Sequence, residues 1–371
     1  MKRISVFIGT RPECIKLAPV VWELRKSENI KLEVISSGQH KDLLKQMAAD
    51  FELEFDHNFE IMRESQSLST MSAKILEKAT QYFENHECDI AIVQGDTTTA
   101  AMIGMAAFYN GVKVAHVEAG LRSNNINRPF PEEMNRKLIS TFATYNFAPT
   151  EGAKLNLLNE GVREESIYVV GNTVVDAQKI VLEKLLKNSN LISDRVFQLV
   201  ESIKKENKKI IFMTCHRREN LGQPIYQILQ GVKLAMEKLT NYTLIYAVHP
   251  NPKVHKPVAE VLSGLGNVVL LDSQSYFSTL HLLKSADFVL TDSGGIQEEV
   301  IALSKPVVVL RDETERPEVI ESGLGQLVSA SKELVYEACI RVAQRTQIST
   351  SSKNPYGEGR SARLIVNLFE T

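Results

Sequence analysis

The chain has 371 residues, a net charge of -2, 43% apolar and 24% charged residues; that is enough for about two globular domains and gives no general attraction to nucleic acid or an anionic membrane. Its four cysteines, Cys14, Cys88, Cys215 and Cys339, lie far apart and form no CxxC pair, so neither a disulfide framework nor a zinc site is expected, and a reducing cytoplasm is. No apolar run approaches the ~18 residues of a membrane span or builds a signal peptide, and there is no Walker A string and no full GxGxxG.

Short β-branched runs alternate with helical periods along the whole chain. Strands are predicted at residues 4–8, 32–35, 90–93, 112–117, 145–148 and 167–170, and helices at 13–26, around 43–47, at 68–83 and at 98–109. Residues 51–66 have weak periodicity and read as a connection. After Gly171 the composition changes: 173–209 reads as a helical segment and then a polar stretch containing KNSNLISD and KKENKK. A second series follows, with strands at 210–213, 243–248, 268–271, 288–290 and 307–310. The closing segment, 354–369, begins with turn residues and ends in a helical period. Such a βαβ series predicts an α/β protein of two Rossmann-like domains, residues 1–171 and 172–353, facing one another across a central cleft.

Ligands of open α/β sheets bind outside the carboxyl ends of the strands. QGDTTT (94–99) and HVEAGLRS (116–123) follow two such ends, so Asp96 and Glu118 should share a rim, with Glu132 and Glu133 of RPFPEEMNR (128–136) beside a turn. The plainer reading gives Asp96 a helix cap and leaves the other acids exposed. GTRPECIK (9–16) is a strand-to-helix turn in which Gly9 allows close approach, Pro12 suits a first helical turn, and Arg11 and Lys16 supply charge for an anion. An ordinary turn with two solvated cations explains it equally well. Cys14 reads as a packing residue.

TDSGGIQEE (291–299) is the stronger anion signal. Asp292 and Ser293 can cap, Gly294 and Gly295 open a helix whose free N–H groups suit a pyrophosphate, and Glu298 or Glu299 can reach a ribose. HRREN (216–220) places His216, Arg217 and Arg218 at the position that GTRPECIK holds in the first half. HPNP (249–252) and DETERPE (312–318) are further strand-end loops, and Arg316 is a candidate for a phosphate or uracil contact. The second half thus reads as a holder of a nucleoside diphosphate, and the first as a source of acids. That combination suggests chemistry at the sugar carbon bearing the phosphate, or at its neighbour.

These motifs, with GTRPECIKLAP, FAPT, GNTVVDA, HRRENLG, LRDETERPE and NPYGEG, resemble along nearly the whole chain the bacterial, non-hydrolysing UDP-N-acetylglucosamine 2-epimerases. The resemblance implies the B-type glycosyltransferase fold, with a C-terminal helix (354–371) returning to the first domain, a homodimer, and neither metal nor redox cofactor. It implies reversible interconversion of UDP-N-acetylglucosamine and UDP-N-acetylmannosamine by elimination of UDP to 2-acetamidoglucal and re-addition, supplying N-acetylmannosamine units for a surface polysaccharide. Asp96, Glu118 and Glu132 match the family's catalytic acids, and His216 matches the residue that assists the departing diphosphate. Arg11 and Lys16 match diphosphate and sugar contacts; Phe277, Ser293, Gly294, Gly295, Glu299 and Arg316 match the nucleotide pocket, with Glu299 on the ribose.

Gln39, His40 and His249 match a regulatory site for a second UDP-N-acetylglucosamine, but Ser65 stands where Arg is common and Asp42 where Gln is common. Arg128 replaces a smaller residue and is a candidate to restore the missing charge. Three other readings use the same motifs: a hydrolysing epimerase releasing UDP and free N-acetylmannosamine, a glycosyltransferase, and a nucleotide-sugar sensor.

Overall fold

The structure is a computed structural model that describes residues 1–38, 47–61, 66–345 and 354–370. Most strands are short runs buried on both faces. Ile4, Val6, Phe7 and Ile8 are almost inaccessible, as are Ile90 to Val93, and continuous apolar runs are what a parallel sheet covered by helices on both sides requires.

In the first half the strands are β1 (Lys2–Ile8), β2 (Ile30–Ser36), β3 (His57–Asn58), β4 (Ile90–Gln94), β5 (Lys113–Val117), β6 (Tyr145–Ala148) and β7 (Ile167–Val169). In the second they are β8 (Lys209–Thr214), β9 (Tyr242–Ala247), β10 (Val268–Leu271), β11 (Phe288–Thr291), β12 (Val307–Val309) and β13 (Gly325–Leu327). Among the described residues the sheet orders are β3-β2-β1-β4-β5-β6-β7 and β10-β9-β8-β11-β12-β13, with parallel pairing, for example Ile4 beside Ile90 and Leu290 beside Met213. The strand order reverses between β1 and β4 and again between β8 and β11, the switch points at which open α/β sheets form ligand crevices. The α/β class and the two Rossmann-like series expected from the sequence are therefore present.

Local sequence explains the crossovers. Thr10, Thr97 and Thr150 each accept a hydrogen bond from a first-turn N–H of the helix that follows, Arg11–Leu24, Thr98–Tyr109 and Glu151–Asn159. The helix Thr98–Tyr109 is lined with small residues, and a Cβ at Gly104 would lie 2.7 Å from the Phe142 ring, so glycine here permits close packing on the helix Glu132–Phe142.

Several expectations are corrected. Residues 51–66 include the edge strand β3. The polar stretch before residue 209 contains a separate helix, Asp194–Lys205, with Val196, Val200 and Ile203 buried along one side; the Lys and Asn residues of the stretch cluster at and beyond its two ends. The three-residue β13 carries no readable period. Of the helix expected around 43–47, residues 43–46 lie outside the described residues.

The chain divides into two compact units, one comprising Met1–Lys179 and Pro355–Thr371 and the other Ile180–Asn354. The division falls inside the helix Thr173–Lys187, a little after the expected 171. The first turns of that helix are tied to the tail: the buried Asp176 carboxylate accepts N–H bonds from Ser361 (3.2 Å) and Ala362 (2.9 Å), the first residues of the helix Ser361–Glu370. Phe369 then packs edge-on against Tyr145 and Phe147.

Asp176→Ala removes the acceptor of two otherwise orphaned helix-start N–H groups. We expect a loss of about 1–2 kcal/mol in urea unfolding, with faster amide exchange concentrated in 361–370. Unaltered exchange in that segment would show that the carboxylate does not anchor it.

Candidate functional site

In the first unit, β4 and β5 end in register, with Gln94 opposite Val117 and the Gly95 N–H donating to the Val117 carbonyl at 2.9 Å. Asp96 and Glu118 thus leave the sheet on one rim, as expected. Glu118 has a positive φ of 68°, an uncommon backbone region for a residue with a side chain. Its carboxylate accepts bonds from the Lys16 ammonium, from the Gln94 amide and from Asn172 Nδ2 at 3.2 Å. Lys16 is buried, and its ammonium lies against the buried Glu118 carboxylate as a direct ion pair.

Asp96 sits in a different setting. It pairs with Arg136 at 2.5 Å, and its backbone carbonyl accepts from Asn135. Arg136 also binds Glu133, which accepts the N–H groups of Ser123 and Asn124. Glu133 is therefore a fully buried structural acid. Its neighbour Glu132 has a buried oxygen, Oε2, with no hydrogen-bond partner among the described residues. The two acids of the PEE string are separated in this way by their surroundings, which spacing alone did not show.

Sequence reading missed Glu13, although Thr10 and Glu13 form a legible capping box. Its Oε2 accepts from the N–H groups of Gly9 (2.6 Å) and Thr10 (2.7 Å), and its Oε1 from the Thr97 hydroxyl. One buried carboxyl thereby joins the GTRPECIK loop to the QGDTTT loop. Burial pushes its pKa up to about 7, against the lowering effect of those bonds. His116 is likewise a support: it is buried, meets the Gly95 carbonyl at 2.7 Å, and burial pushes its pKa down to about 4. Cys14 is fully buried, and burial followed by Glu13 pushes its thiol up to about 12, as fits a packing role. Arg11 is partly buried, near Asp50.

In the second unit the helix Gly294–Ala302 starts without a side-chain cap from Ser293. Asp292, expected as a cap, instead accepts on Oδ2 from the N–H groups of His216 (2.8 Å) and Arg217 (2.8 Å) and from Asn220 Nδ2 (3.0 Å). It ties the loop after β8 to the loop after β11. A Cβ at Gly294 would lie 2.5 Å from the Arg316 guanidinium and 3.2 Å from that of Arg217. Two guanidinium groups thus meet the positive end of a helix, a setting for an anion. A Cβ at Gly295 would meet nothing within 4 Å, so packing does not require that glycine.

Arg316 also binds Glu298 and Glu315, and Arg311 binds Glu315 and Glu219. Arg316 is therefore held in a largely buried network of alternating charge. Glu299, Phe277 and Tyr276 are buried; burial and then the adjoining Glu299 carboxylate push the Tyr276 phenol well up. His216 is stacked on His249, ring centroids 5.1 Å apart. Arg128 is exposed, while Gln39, His40, Asp42 and Ser65 lie outside the described residues. Among the described residues no group of three His, Cys, Asp or Glu side chains could hold a metal ion.

The raised pKa of Glu13 makes a pH prediction. The folded state keeps this proton up to about 7, whereas the unfolded chain releases it near the ordinary value of 4.5. Stability from this group is complete below 4.5 and is lost as pH rises to 7, about 3 kcal/mol in all. Between pH 5 and 7.5 about 2–2.5 kcal/mol of this is lost, and urea unfolding at the two pH values should show Glu13→Gln reducing the wild-type difference by that amount; the same difference in wild type and variant would refute the assignment.

A model of the UDP-N-acetylglucosamine 2-epimerase family matches residues 22–370. The UDP-N-acetylglucosamine 2-epimerase of Campylobacter jejuni is 39% identical, covering 100% of this chain and 97% of that one. The solved UDP-N-acetylglucosamine 2-epimerase of Neisseria meningitidis, bound to UDP-N-acetylglucosamine, superposes with a TM-score of 0.92 at 38% identity, covering all of both chains. That of Methanocaldococcus jannaschii, in complex with UDP-N-acetylglucosamine and UDP, gives 0.86 at 34% identity over 99% of each. With the acid-bearing rim and the diglycine helix start in the places described, the chain belongs to the UDP-N-acetylglucosamine 2-epimerase family.

Proposed function

We propose that this epimerase interconverts UDP-N-acetylglucosamine and UDP-N-acetylmannosamine reversibly, without releasing free sugar. The observation that carries the reading is the set of three carboxylates in unequal settings: Glu118 on an ammonium, Asp96 on a guanidinium, Glu132 with an unpartnered buried oxygen. Inverting C2 requires a proton to leave one face and another to arrive on the opposite face, and one carboxylate cannot serve both.

The C2 hydrogen is weakly acidic, so proton loss must accompany loosening of the C1–O bond. A carboxylate takes the C2 proton, the C1–O electron pair leaves with the β-phosphate oxygen of UDP, and a C1–C2 double bond forms. UDP then re-adds at C1 while a second carboxyl group protonates C2 from the other side. Asp96, Glu118 and Glu132 are the acid–base and cation-stabilising groups, and His216 assists the diphosphate. The helix start at Gly294 and Gly295, with Arg316, receives the diphosphate, while Glu299 takes the ribose and Phe277 completes the nucleotide pocket. Arg11 and Lys16 complete the sugar-side polar contacts, Lys16 through Glu118. Shielding from water keeps the glucal from being lost. The enzyme acts as a cytoplasmic homodimer that supplies N-acetylmannosamine units for a surface polysaccharide; its described cysteines are unpaired, as suits a reducing compartment. No described helix is long and apolar enough to cross a membrane.

Proton NMR with UDP-N-acetylglucosamine in deuterated water tests the reading. Both UDP-sugars should appear with deuterium at C2. Free N-acetylmannosamine with accumulating UDP would replace it by the hydrolysing reaction. Asp96→Asn should lower kcat by about 10²- to 10⁴-fold with UDP affinity retained. Gly294→Ala, whose methyl would collide with Arg316, should instead weaken UDP binding.

A further inference from the structure

Asp292 is completely buried at the end of β11. Its Oδ2 accepts three N–H groups, those of His216, Arg217 and Asn220 described above. Its other oxygen, Oδ1, is buried and has no hydrogen-bond partner among the described residues. That oxygen lies 3.8 Å from His216 Nδ1. A buried carboxylate oxygen without a donor is costly. The separation is too long for a hydrogen bond, but a small turn of the imidazole closes it, and such contacts often tighten when ligand binds.

One face of the His216 ring is also covered. His249 lies against it with an interplanar angle of 14°. The Asn251 N–H donates to His249 Nδ1 at 3.1 Å, which leaves the proton of that ring on Nε2 and the ring neutral. Burial, followed by His216, pushes the His249 pKa down and so favours the same state. Other polar groups near His216 are Arg217 and Glu219 in its own loop and the Cys215 thiol at the end of β8, which burial and then Asp292 hold protonated. Glu219 is bound to Arg311 and Arg217 approaches Glu315, so Asp292 is the carboxylate aimed at the imidazole.

We propose that Asp292 is the positioning residue for His216: it accepts the Nδ1–H, fixes that tautomer, and leaves Nε2 to face the diphosphate. The inference rests on the role given to His216 above. When the C1–O bond breaks, its electron pair goes to the β-phosphate oxygen, and Nε2–H of the imidazolium donates to that oxygen. Nδ1–H remains on Asp292, whose negative charge balances the ring. Re-addition of UDP reverses the step, so no proton and no co-reactant is consumed. The neutral His249 holds the ring plane without adding a second charge.

Long-range proton–nitrogen NMR of protein labelled with ¹⁵N-histidine, with UDP added, tests the pair; His216→Asn assigns the signals. In the wild type the neutral His216 ring should carry its proton on Nδ1. Asp292→Asn keeps an oxygen for the three N–H donors but turns an NH₂ toward Nδ1, so the proton should move to Nε2. In that variant no carboxylate balances the imidazolium, so less of the ring carries both protons, and kcat should fall by about 10²- to 10⁴-fold with KM within a few-fold. A wild-type proton on Nε2, or an unmoved tautomer in Asp292→Asn, overturns the proposal. Should that variant not fold, the wild-type tautomer still decides. The tautomer is read without turnover, so a wild type that fails to epimerise counts against the reaction while leaving this pair supported.

Discussion

A buried carboxyl group holds the switch point of each sheet, and the functional loops depend on it. In the first unit Glu13, on the β1 side, gathers the N–H groups of Gly9 and Thr10 and reaches over to Thr97 on the β4 side. In the second, Asp292, on the β11 side, gathers the N–H groups of His216 and Arg217 on the β8 side. The two halves use the same physical device from opposite directions. Turn N–H groups beyond a strand end have no ladder partner, and a carboxylate with two acceptor oxygens satisfies several at once. The loops after β1 and β4 in the first unit, and after β8 and β11 in the second, are each fixed by such a group, so their geometry is set by residues absent from the usual roll of reactive side chains.

Around those anchors the acids are sorted by their partners. Lys16, Gln94 and Asn172 converge on Glu118, and Arg136 bridges Asp96 and Glu133. Removing one member of such a buried pair strands the other, at a cost of about 3–5 kcal/mol. The same holds for the ladder of Glu219, Arg311, Glu315, Arg316 and Glu298 beneath the helix start. The ladder is the reason Arg316 can be both buried and rigid, and a rigid guanidinium at a helix N-terminus discriminates anion position better than a solvated one.

Much of this was legible in the chain because it depends on local order. β-branched runs and helical periods gave both strand series, and the turn residues after β1, β4, β8 and β11 marked the strand ends where ligands gather. What stayed hidden depends on distance. Nothing in QGDTTT or HVEAG says that Gln94 and Lys16 meet on Glu118, and nothing in PEE separates Glu132 from Glu133. Asp292 looked like a cap because Asp before Ser-Gly-Gly usually is one; the neighbouring β8 loop offered it better donors. The helix Asp194–Lys205 was masked by its wet face, and β13 by its brevity. The shift of the unit boundary from 171 to a point after Lys179 has the same origin. Composition changes where the strand series pauses, whereas the helix there is still bound to the tail through Asp176.

That bond between Asp176 and the tail has a consequence for how the protein is made. The second unit is one unbroken stretch, Ile180–Asn354, set between two pieces of the first. A ribosome delivers domains from the N-terminus onward, and each folds as a unit once its residues have emerged. Here the strands of the first sheet emerge early but must wait for the helix Ser361–Glu370, with Phe369 against Tyr145 and Phe147. The later-encoded unit therefore has all its residues outside the ribosome before the earlier one is complete. Until then Tyr145 and Phe147 of β6 lack the ring that covers them in the finished fold.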